Sequence, residues 1–266
     1  MMHKPWYEAY LFDLDGTIYL GDEVLDSVPQ TLARIRDRGV PVRFLSNNPT
    51  KSPAEYLSKL TRLGLHAEPA ELVNTLVTTT DWLRKHRGQA KVFPIGEEPL
   101  HRALHEAGIA TSQNPEDIDI VLASYDRGFD YSKLQIAFDA LWFHKRATLM
   151  STNPDRYCPL PGGRGEPDAA SIVAAIEAST GVKCQRTFGK PSRLMLEVVM
   201  GDLGVALDRA VMVGDRLSTD VAMGRRAGMD AALVLTGDSR VVDIDAVVAA
   251  ERPTWVLDRL IDLLPQ

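Results

Sequence analysis

The sequence predicts an α/β protein with a doubly wound parallel sheet. Short segments of β-type composition alternate with amphipathic helical segments along the 266 residues. Strands that alternate with helices favour parallel sheets with helices on both faces. Acidic, hydroxyl and amine side chains follow several of the apolar segments, and ligands of such sheets bind at the carboxyl ends of the strands. We therefore expect a functional site at that edge.

The predicted elements follow one another in regular order. Ser27 with Gln30 three residues later has the spacing of a capping box, and Gly39 is placed to end that first helix. Ser52 begins a second helix in the same way, and Gly64 ends it. The remaining predicted helices run from Glu97 to Gly108, Tyr131 to Arg146, Asp168 to Gly181 and Ser192 to Gly201. The predicted strands are Tyr10–Phe12, Val40–Leu45, Lys91–Ile95, Asp119–Ala123, Thr148–Met150, Ala210–Val213 and Ala231–Leu235.

Composition argues against several classes of function. The chain is 45% apolar and 25% charged, as soluble globular proteins are. Its formal net charge is −6 and it has no block of Lys and Arg, so nucleic acid is not an expected partner. No apolar run approaches the ~20 residues of a membrane span, and the N-terminus lacks the apolar segment of a signal peptide. Two cysteines, Cys158 and Cys184, are too few for a disulfide scaffold, so we expect a cytoplasmic protein.

The segment Asp13-Leu14-Asp15-Gly16-Thr17 places two carboxylates at the end of the first predicted strand. Alternate residues of an extended strand point the same way, so Asp13 and Asp15 would share one small volume. Two charges ~4 Å apart repel by roughly 4 kcal/mol at an effective dielectric of about 20. A divalent cation is the usual counter-charge for such an oxygen site. The alternative is an acidic turn without function.

Three further polar positions follow apolar segments. Ser46-Asn47-Asn48 comes directly after the second predicted strand, and Lys190 opens a predicted helix. Asp215 follows the sixth predicted strand, with Asp220 five residues later. A lysine at a helix N-terminus lies against the helix dipole, so it favours a nearby anion. Each position alone is explained by a helix cap, a solvated lysine or a turn. Together with the carboxylate pair, and in this order, they favour a functional constellation.

In this order the four segments resemble the motifs of the haloacid dehalogenase (HAD) superfamily, over essentially the whole chain. The resemblance implies a HAD-like core fold and a phosphohydrolase. It implies that Asp13 is the nucleophile that forms a phosphoaspartyl enzyme, and that Asp15 is the general acid and base. The dehalogenases of the superfamily lack the second aspartate, because a leaving halide needs no proton. Asp15 therefore favours phosphoryl transfer.

The resemblance also assigns the groups that contact the phosphoryl oxygens. Lys190 supplies a cation and is counted among the catalytic residues. Ser46 and the Asn47 amide supply hydrogen bonds. Asn48 is assigned to the same substrate-binding set.

A magnesium ion is part of what the resemblance implies. Mg²⁺ would be held by Asp13, by the backbone carbonyl of Asp15 and by Asp215, and it would neutralise charge on the transferring group. Asp220 would act one step further out, where it steadies Lys190 or a metal-bound water.

The spacing of the motifs implies an inserted domain. Ser46 lies 33 positions after Asp13, whereas Lys190 lies 144 positions after Ser46. The family pattern assigns such an excess to an α/β cap that confers substrate specificity. We expect the cap at residues 84–184 and the core at residues 1–83 and 185–266. A longer continuous sheet is the alternative.

The insert resembles the large α/β cap of the p-nitrophenylphosphatase and pyridoxal phosphatase-like subgroup, HAD subfamily IIA. This implies a small phosphorylated substrate: a sugar phosphate, a nucleotide, glycerol phosphate, phosphoglycolate or pyridoxal phosphate. Tyr125 matches a tyrosine of the pyridoxal phosphatases, but Cys158-Pro159 stands where they have histidine and proline, which argues against pyridoxal phosphate. Tyr125, Cys158 and Pro159 are candidate substrate contacts, although packing explains Tyr125 and Cys158 equally well. Arg127 and Arg156 could bind an anionic group or lie on the solvated surface.

Two alternative functions remain open. A phosphotransferase or phosphomutase would use the same aspartyl chemistry. A non-catalytic phosphate-binding module, such as a receiver domain, has similar polar residues but no insert. Members of the subgroup often associate through their caps, which implies a homodimer. Trp82, Trp142 and Phe143 offer such a surface, and core packing explains them equally well.

Overall fold

The computed structural model of the protein describes residues 4–160, 164–201 and 203–265. Its contacts divide the chain into two compact units. The core unit combines Met1–Ser46, Pro53–Val73 and Lys190–Gln266, and the insert unit combines Asn47–Ser52 and Asn74–Gly189. The insert unit is therefore wider than the range 84–184 expected for the cap, because the helix at 75–87 belongs with it.

The strands and helices are named in chain order. The strands are β1 (Ala9–Asp13), β2 (Tyr19–Leu20), β3 (Glu23–Val24), β4 (Val42–Ser46), β5 (Leu72–Asn74), β6 (Val92–Ile95), β7 (Ile120–Ala123), β8 (Thr148–Ser151), β9 (Tyr157–Leu160), β10 (Arg164–Pro167), β11 (Arg186–Thr187), β12 (Ala210–Gly214), β13 (Asp230–Val234) and β14 (Trp255–Leu257). The helices are α1 (Val28–Arg36), α2 (Pro53–Arg62), α3 (Thr75–Arg87), α4 (Glu98–Glu106), α5 (Tyr131–Phe138), α6 (Ala169–Thr180), α7 (Arg193–Gly201) and α8 (Ala222–Arg226).

The core unit contains a six-stranded sheet in the order β14-β13-β12-β1-β4-β5. β1 pairs in parallel with both β4 and β12, and β12 continues in parallel through β13 to β14. The strands on one side of β1 come from the first part of the chain and those on the other side from the last part. This is the doubly wound arrangement that the alternation of elements predicts. Every residue of β1 and β12 is buried, as expected for central parallel strands.

Aromatic packing fixes the ends of β1 and β4. Tyr10 and Phe12 stack with ring centroids 6.1 Å apart, and the Phe12 ring lies 6.4 Å from the Phe44 ring. All three side chains are fully buried. Phe12 is opposite Phe44 in the sheet, and Asp13 is opposite Leu45. The polar residues that follow these aromatic rings are therefore held in a defined register.

The insert unit has its own sheet and core. Four parallel strands lie in the order β11-β8-β7-β6. Val121, Leu149 and Ile176 belong to an apolar cluster of this unit, which is what a separate domain requires. The antiparallel hairpin of β9 and β10 pairs Cys158 with Glu166. Across the described ranges, no helix has both the length and the apolar composition that crossing a membrane requires.

The predicted strands and helices are present, and two details of the predicted helices were wrong. Ser27 does not cap α1: it has a φ of 65° and makes no side-chain cap hydrogen bond. Its Oγ instead accepts a hydrogen bond of 3.2 Å from the Ile261 amide. α5 ends at Phe138 rather than near Arg146, and a π-helical turn continues to Phe143. The elements without a counterpart among the predicted ones are α3, α8, β2, β3, β5, β9, β10, β11 and β14.

Candidate active site

Three strand ends bring polar residues to one edge of the core sheet. β1 ends at Asp13, β4 ends at Ser46, and β12 ends immediately before Asp215. Because β1 lies between β4 and β12 in a parallel sheet, the carboxyl ends of all three strands share an edge. The structure thus brings three of the predicted site residues together.

A buried lysine joins two carboxylates at this edge. The Lys190 ammonium donates a hydrogen bond to Asp13 Oδ1 and lies 2.7 Å from Asp220 Oδ1. The side chains of Lys190, Asp13 and Asp220 are only 3%, 12% and 1% exposed. Burial lowers the pKa of the Lys190 ammonium, but Asp13 and Asp220 outweigh this influence and raise the pKa above its ordinary value. Lys190 therefore carries a positive charge beside Asp13.

Three buried carboxylates converge beside this lysine. One oxygen each of Asp13, Asp215 and Asp220 lies within 4.8 Å of the others. Burial raises the pKa of Asp13 well above its usual range; Lys190 opposes this, and Asp220 and Asp215 add to it. Burial, and next the charge of Asp220, raises the pKa of Asp215 to about 6. Crowded carboxylates of this kind favour a cation, and oxygen ligands are those that Mg²⁺ prefers. The donor set fits a magnesium ion.

A close-packed loop after β13 holds Asp215. A Cβ atom on either Gly16 or Gly237 would collide with the Asp215 carboxylate. The Asp238 amide donates a hydrogen bond of 2.7 Å to Asp215 Oδ2, and the Thr236 hydroxyl donates one of 2.6 Å to the Gly16 carbonyl. No motif in the sequence predicted a role for this loop. Its signal in the sequence is that it follows a predicted strand at the same edge of the sheet.

Asp15 differs from Asp13 in its accessibility. The Asp15 side chain is 53% exposed. The Tyr19 hydroxyl donates a hydrogen bond of 3.3 Å to Asp15 Oδ2, and Lys59 Nζ lies 4.0 Å from Asp15 Oδ1. Burial, and next the charge of Asp15, raises the pKa of Tyr19, so its hydroxyl remains a donor. An accessible carboxylate can exchange protons with both a substrate and water, as a general acid and base must.

Ser46 is buried and has a hydroxyl neighbour. Its Oγ lies 3.0 Å from the Tyr56 hydroxyl of α2. The adjacent residues Asn47 and Asn48 belong to the insert unit. Asn47 Nδ2 donates a hydrogen bond of 3.3 Å to an Asp155 carboxylate oxygen. Asn48 Oδ1 accepts hydrogen bonds of 2.8 and 2.7 Å from the amide and hydroxyl of Thr50, which closes the turn before α2.

The remaining predicted contacts lie within the insert unit. The Tyr125 hydroxyl donates a hydrogen bond to Glu166, the residue that pairs with Cys158 across the β9–β10 hairpin. Burial raises the pKa of Tyr125, and the hydrogen bond to Glu166 adds to this. Cys158 is half-buried and Pro159 is exposed on the same strand. Tyr125 therefore contacts the Glu166 carboxylate, and Cys158 is the cross-strand neighbour of Glu166.

The two arginines that could bind an anionic group have ordinary surroundings. Arg127 makes hydrogen bonds of 2.6 and 2.8 Å with the two carboxylate oxygens of Glu97. This pair explains why the pKa of Glu97 is lowered. Arg156 lies on the surface.

The aromatic residues considered for a cap surface divide into two kinds. Trp82 packs within the insert unit, with its ring centroid 4.9 Å from the His86 ring and 5.4 Å from the Phe188 ring. Trp142 and Phe143 are 50% and 66% exposed. Core packing therefore accounts for Trp82, while the other two remain available as surface.

Two stretches of the chain match protein-family models. Residues 10–110 match a family described as haloacid dehalogenase-like hydrolase, and residues 187–263 match one described as HAD-hydrolase-like. The chain is also similar to an acid sugar phosphatase of Staphylococcus aureus, with 36% identity over 239 residues, or 90% of each chain.

Solved structures of phosphatases are similar to this chain over nearly its whole length. A 4-nitrophenylphosphatase from Thermotoga maritima is 33% identical with a TM-score of 0.89, over 97% of this chain and 96% of that one. A p-nitrophenyl phosphatase from Archaeoglobus fulgidus is 26% identical with a TM-score of 0.88, over 97% of this chain and 98% of that one. The similarity therefore includes the core unit and the insert unit.

Proposed function

The chain belongs to the haloacid dehalogenase-like hydrolase family, as its motifs predict, and we propose that it is a Mg²⁺-dependent phosphatase of small metabolites that works through a phosphoaspartyl enzyme. The observation that carries the proposal is the buried Lys190 ammonium between Asp13 and Asp220, beside Asp215. This arrangement supplies a nucleophile, a fixed positive charge and oxygen ligands for a cation at one edge of the core sheet.

The proposed reaction has two steps. First, an Asp13 oxygen attacks the phosphorus atom of a phosphate monoester, and the P–O bond to the leaving group breaks as Asp15 gives a proton to the leaving oxygen. Second, Asp15 takes a proton from a water molecule whose oxygen attacks the phosphorus atom of the phosphoaspartyl group. The bond between phosphorus and the Asp13 oxygen breaks, inorganic phosphate leaves and the Asp13 carboxylate is restored. The contrast between a buried Asp13 and an accessible Asp15 supports these different roles.

Positive charge and hydrogen bonds stabilise the transferring phosphoryl group. Lys190 provides the charge, and Asp220 keeps the ammonium in place through their 2.7 Å ion pair. We assign the Ser46 hydroxyl, with Asn47 and Asn48 after it in the chain, to phosphoryl binding. Groups that are fixed before the reaction contribute most to stabilising the transition state, because they need not reorganise.

Asp13, Asp215 and the backbone carbonyl of Asp15 would hold Mg²⁺. When bound, this ion neutralises charge on the phosphoryl oxygens. Support comes from the raised pKa of Asp13 and Asp215, whose cause is burial of acidic groups close together. In the family pattern, Asp220 does not bind the metal itself but steadies Lys190 or a metal-bound water.

The substrate is a small phosphorylated metabolite, and we rank sugar phosphates first because the curated relative is named an acid sugar phosphatase. We assign the insert to a cap that selects the substrate, with Tyr125, Cys158 and Pro159 as the residues that contact the leaving group. Nucleic acid and membrane are not partners in this proposal. Two cysteines are too few for a disulfide scaffold, and this low count supports the reducing environment of the cytoplasm.

We also infer a homodimer formed through the cap. Trp142 and Phe143, both at least half exposed at the end of the π-helical turn after α5, support such a surface. The molar mass of the protein in solution tests this inference. Light scattering should give two copies for the wild-type protein and one for Phe143→Asp, whereas a monomeric wild-type protein would contradict it.

Hydrolysis of a substrate panel tests the proposed function. We expect phosphate release from p-nitrophenyl phosphate and from sugar phosphates in Mg²⁺, and no release in EDTA or with Asp13→Asn. The panel should also include nucleotides, glycerol phosphate, phosphoglycolate and pyridoxal phosphate. Transfer to added alcohols or sugars in place of water would favour a phosphotransferase. Stable phosphorylation without turnover would favour a binding module.

A further inference from the structure

Helix α2 presents two polar side chains on its buried face. Tyr56 and Lys59 lie three positions apart, so they share one side of the helix. Tyr56 is 1% exposed and Lys59 is 8% exposed. A lysine is almost never buried to this degree unless its charge is paired. The burial of Lys59 therefore requires a reason in its surroundings.

The surroundings of Lys59 lead to Asp15. The Lys59 ammonium lies 3.6 Å from the centroid of the Tyr19 ring and 4.0 Å from Asp15 Oδ1. The hydroxyl of the same tyrosine donates a hydrogen bond of 3.3 Å to Asp15 Oδ2. Asp15 Oδ1 therefore faces the Lys59 ammonium, and Asp15 Oδ2 faces the Tyr19 hydroxyl. We name these two residues the Lys59–Tyr19 pair.

We propose that the Lys59–Tyr19 pair positions the Asp15 carboxylate for proton transfer to the leaving group. This inference rests on the proposed function. An exposed aspartate side chain has several rotamers open to it, and proton transfer needs one of them. Tyr19 fixes Oδ2 by a hydrogen bond. Oδ1 is 4.0 Å from the ammonium, beyond hydrogen-bond distance, so it is the oxygen left to carry the transferable proton.

The charge of Lys59 contributes to the same positioning, because the ammonium attracts the Asp15 carboxylate over 4.0 Å. Lys59 and Tyr19 are proposed to act through the Asp15 carboxylate, so both are positioning residues.

Substrates with different leaving groups distinguish a role in proton transfer from a purely structural role, which would affect all substrates alike. Nitrophenolate leaves without a proton, whereas the oxygen of an alkyl phosphate must be protonated as it leaves. We compare kcat/KM for p-nitrophenyl phosphate and for an alkyl phosphate that the wild-type enzyme hydrolyses, because this ratio reports the step that forms the phosphoaspartyl group. Lys59→Met keeps an unbranched side chain on the same face of α2 and removes the ammonium that lies over the Tyr19 ring.

We expect Lys59→Met to lower kcat/KM at least about tenfold more for the alkyl phosphate than for p-nitrophenyl phosphate. This loss is part of the roughly 10²–10⁴-fold acceleration that general acid catalysis provides. The loss should lie in kcat rather than in KM. Tyr19→Phe should change the ratio in the same direction and by less. Lys59→Arg, which keeps the charge, should restore most of the wild-type ratio.

Tyr56→Phe is the matched control on the same face of α2. It removes the hydroxyl that faces Ser46 and leaves both contacts to Asp15 intact. We expect it to lower kcat/KM for the two substrates by the same factor. General damage to the packing of α2 would also affect both substrates equally, and thermal melts of every variant would show it.

The outcomes separate this inference from the function on which it rests. The inference is overturned if Lys59→Met lowers kcat/KM equally for the two substrates, or not at all, while Asp15→Asn lowers it more for the alkyl phosphate. If Lys59→Met does not fold, an unchanged ratio in Tyr19→Phe overturns it. If Asp15→Asn shows no discrimination, or the wild-type enzyme hydrolyses neither substrate, the assigned role of Asp15 fails and the inference fails with it.

Discussion

Lys190 Nζ lies 2.7 Å from Asp220 Oδ1, and both side chains are almost completely buried. Lys190 precedes α7, whereas Asp220 lies in the π-helical turn that follows β12. The same ammonium contacts Asp13, so Asp220 holds the lysine against the proposed nucleophile. A charge placed in this way is available to a phosphoryl group that arrives at Asp13.

Removing the charge of Asp220 tests this positioning. We expect Asp220→Asn to lower kcat/KM roughly 10–100-fold, the range typical for partners that orient a catalytic group. Lys190 keeps its contact with Asp13, so activity should fall without vanishing. The measurement is steady-state hydrolysis of p-nitrophenyl phosphate. Asp243→Asn, which removes a carboxylate from a surface pair with Arg240, serves as the control. Wild-type kinetics for Asp220→Asn would contradict the assigned role.

The raised pKa of Asp215 predicts how magnesium stabilises the protein at different pH. Without metal, the folded protein binds a proton at Asp215 more tightly than the unfolded chain does, since its pKa is about 6. This contribution to stability is complete below the ordinary aspartate pKa of about 4 and is lost as the pH rises through about 6. Mg²⁺ needs the ionised form. The rise in Tm on adding Mg²⁺ should therefore be larger at pH 7.5 than at pH 5.

Thermal melts with and without Mg²⁺ at the two pH values check this expectation. Asp215→Asn is the matched variant, and its melting temperature should respond little to Mg²⁺ at either pH. An equal rise at both pH values in the wild-type protein would show that the ion binds elsewhere.

Gly237 tests the close packing around Asp215. A Cβ atom at this position would collide with the Asp215 carboxylate. We expect Gly237→Ala to raise the Mg²⁺ concentration that gives half-maximal activity and to lower the free energy of unfolding by about 1–3 kcal/mol. Gly201→Ala is the control, since a Cβ atom there meets nothing within 4 Å. A Gly237→Ala variant that needs no more Mg²⁺ than the wild type would contradict the proposed arrangement.

Much of the fold and of the catalytic edge follows from local sequence patterns. Short apolar segments define β1, β4 and β12, and parallel pairing brings the polar residue at or directly after the end of each strand to the same edge. Asp13, Ser46 and Asp215 come together for that reason. The pattern is informative because such strands are buried on both faces and are therefore continuously apolar.

The parts that were not predicted depend on contacts between distant segments. Thr236 to Ser239 has the composition of a surface turn, and only the pairing of β13 with β12 places this turn beside Asp215. A lysine is expected on the polar side of an amphipathic helix, yet Lys59 lies on the buried side of α2. Ser27 has the capping-box spacing, but its hydroxyl is used by Ile261. Spacing along the chain does not report these partners.

The most direct test is to identify the residue that carries phosphate during turnover. The enzyme is mixed with p-nitrophenyl phosphate and Mg²⁺, quenched in acid within a turnover, and digested for mass spectrometry. We predict that the peptide containing Asp13 gains the mass of one phosphoryl group, and that Asp13→Asn neither gains this mass nor turns over substrate. Phosphate on another residue, or turnover by Asp13→Asn at the wild-type rate, would contradict the mechanism.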